Sequence, residues 1–257
     1  MLNYFELVNK DYLDNHFKLE SRVDPDSKCR ELYIDLTKML FDMSNRFPNG
    51  DLVKKTEVKE RIKNREKYWE LVLTVESKHG EKKIFGLGID YIGASVYWAL
   101  KKDVSQVDIK ELLKVSRTIG GHIFFPRWQI SNIKVNIKSI NMARGGEFIC
   151  KNKNRLGFYD RFDMLLFDMK RWYEGNSCQL KEEFDSNKIW LDLFIDFRGF
   201  IDYFSLNGFV NDKYEVINLT HIEKVIDGFE SYIPDNTFQY IEYFKNSNNI
   251  ISVRFKE

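Results

Sequence analysis

A chain of 257 residues with 43% hydrophobic and 15% aromatic content and only four prolines has the apolar surface for a sizeable core, which excludes a disordered, collagenous or coiled-coil chain. Forty basic against 39 acidic side chains leave a net charge of +1, so no global field draws the protein to nucleic acid or to an anionic membrane, and any such surface must be a local patch. The length and the absence of a linker or repeat predict one α+β domain over residues 1–257.

The first residues carry Glu6, Lys10 and Asp11 where a signal peptide needs an apolar stretch, and no run approaches the ~18 apolar residues of a membrane span. Ser27 precedes Leu32, Leu36, Leu40 and Met43 at helical spacing, which predicts a helix over 27–43 capped by Ser27. Phe47-Pro48-Asn49-Gly50 then enforces a turn. The charged span 54–67 has few apolar positions and predicts a solvated loop or short exposed helix. From Tyr68 the period becomes two: Leu71, Leu73 and Val75 alternate with Val72 and Thr74, and after His79-Gly80 a second run over 83–93 completes a β-hairpin.

Helical spacing returns over 105–118, stopped by Gly120-Gly121. HIFFPRW and IKVNIKSI predict further strands, with Pro126 placing the first at an edge or on its way into a loop. Residues 142–158 predict a glycine- and lysine-containing loop whose length makes it a functional candidate or a mobile flap. In 160–173 the stripe Phe162, Leu165, Leu166, Met169, Trp172 and Tyr173, acidic residues first and Lys170-Arg171 last, predicts a helix. A helical aromatic period runs through 186–207, with Gly199 as its expected kink, and a last helix is expected near 235–246. The fold class is therefore α+β: a mostly antiparallel sheet from the middle of the chain and a helical C-terminal half.

Most familiar chemistries lack their motifs. His16, His79, His122 and His221 are isolated, without ligand spacing, and no metal or cofactor is expected. Asp192 and Asp196 are four apart but read more simply as a solvated face. Gly86, Gly88 and Gly93 are not spaced as a dinucleotide loop and precede no helix, so a turn or bulge is the better reading. Cys29, Cys150 and Cys178 are odd in number and far apart, which fits a reducing cytoplasm. Lysine, asparagine and isoleucine are favoured over arginine and alanine, as in AT-rich bacterial or phage genomes.

The stretch Thr118 to Asp163 concentrates His122, Arg127, Arg144, Asp160, Arg161 and Asp163 around glycine turns and strand ends. Arg144-Gly145-Gly146 sets a guanidinium beside open backbone, suited to bidentate binding of phosphate or carboxylate, though Arg144 pairing with Asp160 or Asp163 reads equally well. Asp160 and Asp163 also have a structural reading as N-cap and dipole partner.

TIGGHIFFP, INMARG, DRFDMLLFDMKRWY and DFRGFIDYF resemble, in order and spacing over roughly Pro25 to Asp212, a family of uncharacterised bacterial proteins. That family's pattern runs T-I-G-G-x-x-x-F-P, I-N-x-A-R-G, D-R-[FW]-D-L-T-L-E and D-F-[KR]-G-[YF]-V-[DE]-F-F. The chain departs from it at Met164-Leu165-Leu166-Phe167 and at Asn207-Gly208, where the family tends to Q-D. The resemblance implies a cytosolic bacterial or phage protein and assigns no activity. It places Gly120, Gly121, Arg144, Gly145, Asp160, Arg161 and Asp163 inside the shared pattern and Arg127 outside it.

The expectation is a protein that binds a phosphate-bearing ligand, a nucleotide or RNA, near the Arg144 loop, in the setting of phage–host conflict. Arg144, Gly145, Arg161, Arg127 and Asp160 are the binding candidates. If the protein is an enzyme, Asp163 or His122 moves the proton. The alternative is a non-catalytic module that docks a protein partner through exposed aromatics. No membrane association is expected.

Overall fold

The computed structural model describes residues 2, 4, 28–42, 45–92, 114–130, 134–135, 162–217 and 237–255. Helix α1 spans Arg30–Thr37 and runs on through a wider-wound turn, Lys38–Asp42. Its N-cap is Cys29, which makes no side-chain cap bond, so the helix starts later than its leucine spacing predicts; Ser27 and Met43 lie outside the described residues. Leu32, Leu36 and Leu40 are buried as that spacing requires.

The sheet is an antiparallel meander in the order β1-β2-β3-β4-β5: Leu52–Lys63, Glu66–Glu76, Lys82–Tyr91, His122–Ile130 and the two-residue Lys134–Val135. The charged span 54–67 is thus neither loop nor helix but most of a long hairpin. Asn64 and Arg65 both take positive φ, 52° and 67°, the two-residue turn whose twist matches that of its strands. Backbone pairing from Leu52 to Lys63 does not require apolar side chains on an edge strand. Lys55 and Lys59 pair with Glu57 at 2.9 and 3.2 Å instead, and Lys67 with Glu60 at 3.0 Å. The second hairpin, β2 to β3, is where the alternation of period two placed it, with Gly80 at φ +81° in its turn.

One face of the sheet is apolar. Leu71, Leu73 and Val75 of β2, Phe85, Leu87 and Ile89 of β3 and Phe124 of β4 are buried and belong to one cluster with Leu32, Tyr33 and Leu36 of α1. The Tyr33 hydroxyl also accepts from the Ile89 amide at 3.2 Å, fixing α1 over the sheet. An aromatic cluster continues this core: Phe47 stacks on Tyr203 at 5.1 Å, and Trp190 meets Phe85 edge-on at 5.2 Å. Each such ring contributes about 1.5–3 kcal/mol on burial, with up to ~1.5 more where ring geometry is favourable. The aromatic periods of the second half are therefore core.

The helical half comprises α2 (Phe162–Tyr173), α3 (Lys181–Ser186), α4 (Lys188–Leu191), a tight turn Asp192–Phe194, α5 (Phe197–Tyr203) and α6 (Thr237–Val253). Helix α2 follows its stripe closely. The expected continuous run over 186–207 is broken, and at Ile195 rather than Gly199. Ile195 has φ +72°, ψ −57°, and the Asp196 amide donates to the Phe194 carbonyl at 2.9 Å, a γ-turn. Asp196 then caps α5, its Oδ1 accepting from Gly199 N at 2.7 Å. Gly199 is needed for close approach, since a Cβ there would stand 2.0 Å from the Phe194 carbonyl oxygen. Asp192 pairs with Lys188 at 2.8 Å, so Asp192 and Asp196 serve separate local ends.

Candidate functional site

On the sheet's other face, residues paired across β1 and β2 include Lys59 with Glu70 and Arg61 with Tyr68. The β2–β3 pairing ends at Leu71 opposite Leu87, while β3 continues to Tyr91 with β4 as its partner. The register between β3 and β4 slips between Gly86 and Leu87: Gly86 faces Trp128, Leu87 faces Pro126, and Arg127 is the extra residue of a bulge. Successive strand residues point to opposite faces, and a bulge re-aims one of them. Here it lets Arg127 join Trp128 on one face. Pro126, which has no N–H to give a ladder, falls beside the irregularity.

Two glycines complete the arrangement. A Cβ at Gly86 would stand 2.0 Å from the Trp128 ring, and one at Gly88 would stand 2.1 Å from Arg127 Nε. Both side chains thus cross bare β3 backbone, over two strand spacings of ~4.8 Å each, to reach β2. The Trp128 indole N–H donates to Glu70 Oε1 at 2.6 Å, and Arg61 Nε donates to Glu70 Oε2 at 2.7 Å. Glu70 is 1% exposed, so these two charge-assisted bonds hold a carboxylate that would otherwise be costly to bury. Arg127 is half-buried with its guanidinium over the Tyr68 ring, 5.4 Å from the centroid. Among the described residues its guanidinium has no ion pair or hydrogen bond.

The other predicted residues divide. Arg144, Gly145, Asp160 and Arg161 lie outside the described residues. His122 opens β4 fully buried, its Nδ1 donating to the Thr118 carbonyl at 2.7 Å, about 17 Å along the strand from Arg127. Asp163 is 1% exposed on α2. The structure therefore does not gather His122 and Arg127 at one place. Asp168, absent from the sequence reading, accepts from the amides of Gln179 and Leu180 at 2.7 and 2.8 Å and fixes the chain into α3.

The Thr118–Gly121 motif has a packing role. Arg254, 3% exposed, donates to the carbonyls of Gly120 at 2.7 Å, His122 at 2.9 Å and Phe204 at 2.6 and 3.0 Å. Burial pushes its pKa down to about 9, which leaves it charged at neutral pH. A Cβ at Gly120 would stand 2.5 Å from the Ile251 carbonyl oxygen, so this glycine lets α6 approach. Burial likewise raises the thiols of Cys29 to about 11 and Cys178 to about 12, so both are protonated and poor nucleophiles near pH 7. Among the described residues no group of three His, Cys, Asp or Glu side chains is placed to hold a metal ion, and no helix is long and apolar enough to cross a membrane.

Glu70, Tyr68 and Trp128 carried no motif. Two alternate glycines in a strand whose other face is strongly apolar, Gly86 and Gly88, were the available signal, because they mark where large neighbours cross the backbone. Residues 11–257 match the model of a family of unknown function, DUF6994. The chain belongs to that family. No curated protein and no solved structure matches the chain.

Proposed function

We propose that the protein binds a phosphate-bearing ligand of the nucleotide or RNA class at the Arg127–Tyr68 platform. One observation carries this reading: a half-buried guanidinium, aimed by a bulge and stacked on a ring, that spends no donor on another described residue. Arginine's planar fork matches a phosphate bidentately, and desolvation strengthens such a contact. The neighbouring Arg61–Glu70–Trp128 network is internally satisfied, so it holds the platform rigid and presents an aromatic beside the cation. The proposal is one of binding: among the described residues His122 and Asp163 are buried, His122 about 17 Å along the strand from Arg127. The free thiols of Cys29 and Cys178 fit a reducing compartment, which supports placing this activity in a cytoplasm.

The test is calorimetric titration with inorganic phosphate, UMP, AMP and ATP, of the wild type and of Arg127→Ala. Saturable binding of a nucleotide that weakens at least about tenfold in Arg127→Ala, about 1.4 kcal/mol, is the expected result. Absence of binding to all four probes, or binding indifferent to Arg127, overturns the reading.

A further inference from the structure

The β1–β2 hairpin runs on beyond the rest of the sheet. Five residue pairs, from Lys59 with Glu70 to Lys63 with Glu66, extend past the last β2–β3 pair, a two-stranded ribbon of roughly 15 Å before its turn. A ribbon of two strands is marginal without support. Arg30 over the Trp69 ring at 5.5 Å holds its base, and Lys28 holds it near the tip, donating to the Lys67 carbonyl at 2.8 Å and pairing with Glu66 at 3.5 Å.

Its tip is cationic for a reason edge protection does not supply. Lys55 and Lys59, nearer the sheet, pair with Glu57 as on a guarded edge strand, and Lys67, beside the tip, pairs with Glu60. At the tip the Glu66 carboxylate is taken by Lys28 at 3.5 Å, while Lys63 and Arg65 are exposed and have no carboxylate partner among the described residues. Arg65 also occupies the second turn position at φ +67°, where glycine is the unstrained choice and any side chain is held at a cost. A cation is thus kept where local structure disfavours it. Arg61 joins this tip to the platform, since its bond to Glu70 is continuous with the Glu70–Trp128 bond.

We infer that the ligand of the Arg127 platform is a single-stranded nucleic acid, its bases against Trp128 and Tyr68 and its phosphates following Arg127, Arg61, Lys63 and Arg65 along the ribbon. This rests on the proposed nucleotide-class reading and extends it from one phosphate to a polyanion. Aromatic rings beside a cationic track are the elements by which proteins hold unpaired strands, and each displaced counterion makes the binding salt-dependent.

The experiment is fluorescence anisotropy with labelled oligo(U) and oligo(dT) of about 12 nucleotides and a duplex of equal length, beside calorimetry with UMP. Three proteins are compared: wild type, Arg127→Ala, and the double variant Lys63→Gln, Arg65→Gly. The double variant retains the fold because Asn-Gly is the preferred sequence for this turn, and its melting temperature checks that. The oligomer should bind at least about tenfold tighter than UMP, and the double variant should reduce the log–log salt slope by about one to two while leaving UMP affinity unchanged. Preference for oligo(U) over oligo(dT) assigns the strand to RNA and the reverse to DNA; either outcome supports the inference. UMP binding with no gain for the oligomer, a tighter duplex, or an unchanged salt slope in the double variant overturns it while the nucleotide reading stands. Oligomer binding that ignores Arg127 overturns both.

Discussion

Two arginines set beside glycine-bearing backbone have opposite surroundings. Arg254 is wholly enclosed between α6, the Thr118–Gly121 turn and the end of α5, and its donors meet three backbone carbonyls. Arg127 lies half-buried on the sheet's second face, stacked on Tyr68 with its donors unspent among the described residues. The first uses a guanidinium as a many-headed staple; the second holds one ready. The difference shows that a glycine turn and a binding group need not coincide: Gly120 belongs to the staple, whereas Arg127 lies further along β4.

The largest expected effect breaks the staple. Arg254→Ala leaves the carbonyls of Gly120, His122 and Phe204 without this donor, and each unsatisfied buried group costs about 1–3 kcal/mol. A loss of roughly 3–5 kcal/mol in urea melts follows, with Arg254→Lys intermediate because one ammonium reaches fewer acceptors. Stability within about 1 kcal/mol of wild type would abolish the distinction between the two arginines.

Next come the glycines, which separate the two regions by what a methyl group would strike. Gly120→Ala meets a backbone carbonyl, that of Ile251, which cannot rotate away, and should cost about 1–3 kcal/mol or more. Gly88→Ala first meets the flexible Arg127 side chain, so it should cost less in stability while displacing the guanidinium from Tyr68. Thermal melts of the pair decide this, and equal losses would mean that the platform is as tightly built as the staple.

A smaller effect concerns the two thiols, Cys29 buried and Cys178 half-buried. Cys29 and Cys178 have folded pKa values raised to about 11 and about 12, above their ordinary value, so the unfolded chain loses these protons first as pH rises. The native state then binds more protons than the unfolded state between about pH 9 and 11, and stability must fall across that window. Cys29→Ala and Cys178→Ala should flatten the decline in urea melts taken from pH 8 to 11. Peptide-resolved alkylation of native protein at pH 8 should find Cys29 roughly a hundredfold slower than in the unfolded chain, in proportion to its thiolate fraction.

Much of the sheet and of α2 was legible because their side chains alternate at one period and their ends agree with it: Leu71, Leu73 and Val75 at two, Leu165, Leu166 and Met169 at the helical spacing. The first hairpin was not, since an edge strand is held by backbone pairing and tolerates Lys-Glu alternation that no hydrophobic pattern reveals. The break at Ile195 was illegible for the converse reason: an isoleucine at positive φ contradicts its own preference, and the packing of Gly199 on the Phe194 carbonyl overrides it. Of the site, Arg127 was named from residue type and position alone. Its partner Tyr68 and the Glu70–Trp128 bond depend on strand register and a bulge, which are long-range facts that a local pattern does not carry.

The smallest expected effect is the most discriminating. Arg127→Ala removes one stacked cation from a partly open surface and should cost about 0.5–1 kcal/mol, the scale of an exposed cation–π contact. Tyr68→Leu should cost a similar amount, and the double variant should show a coupling of the same size if stacking is what holds the guanidinium. Arg127→Lys keeps the charge but not the planar fork, so it should retain stability while binding phosphate more weakly than wild type. These measurements are urea melts of four proteins. A loss of 3 kcal/mol or more in Arg127→Ala, on the order expected for Arg254, would make Arg127 a second staple. Any loss of nucleotide binding in that variant would then report unfolding, and the platform would cease to be a binding surface.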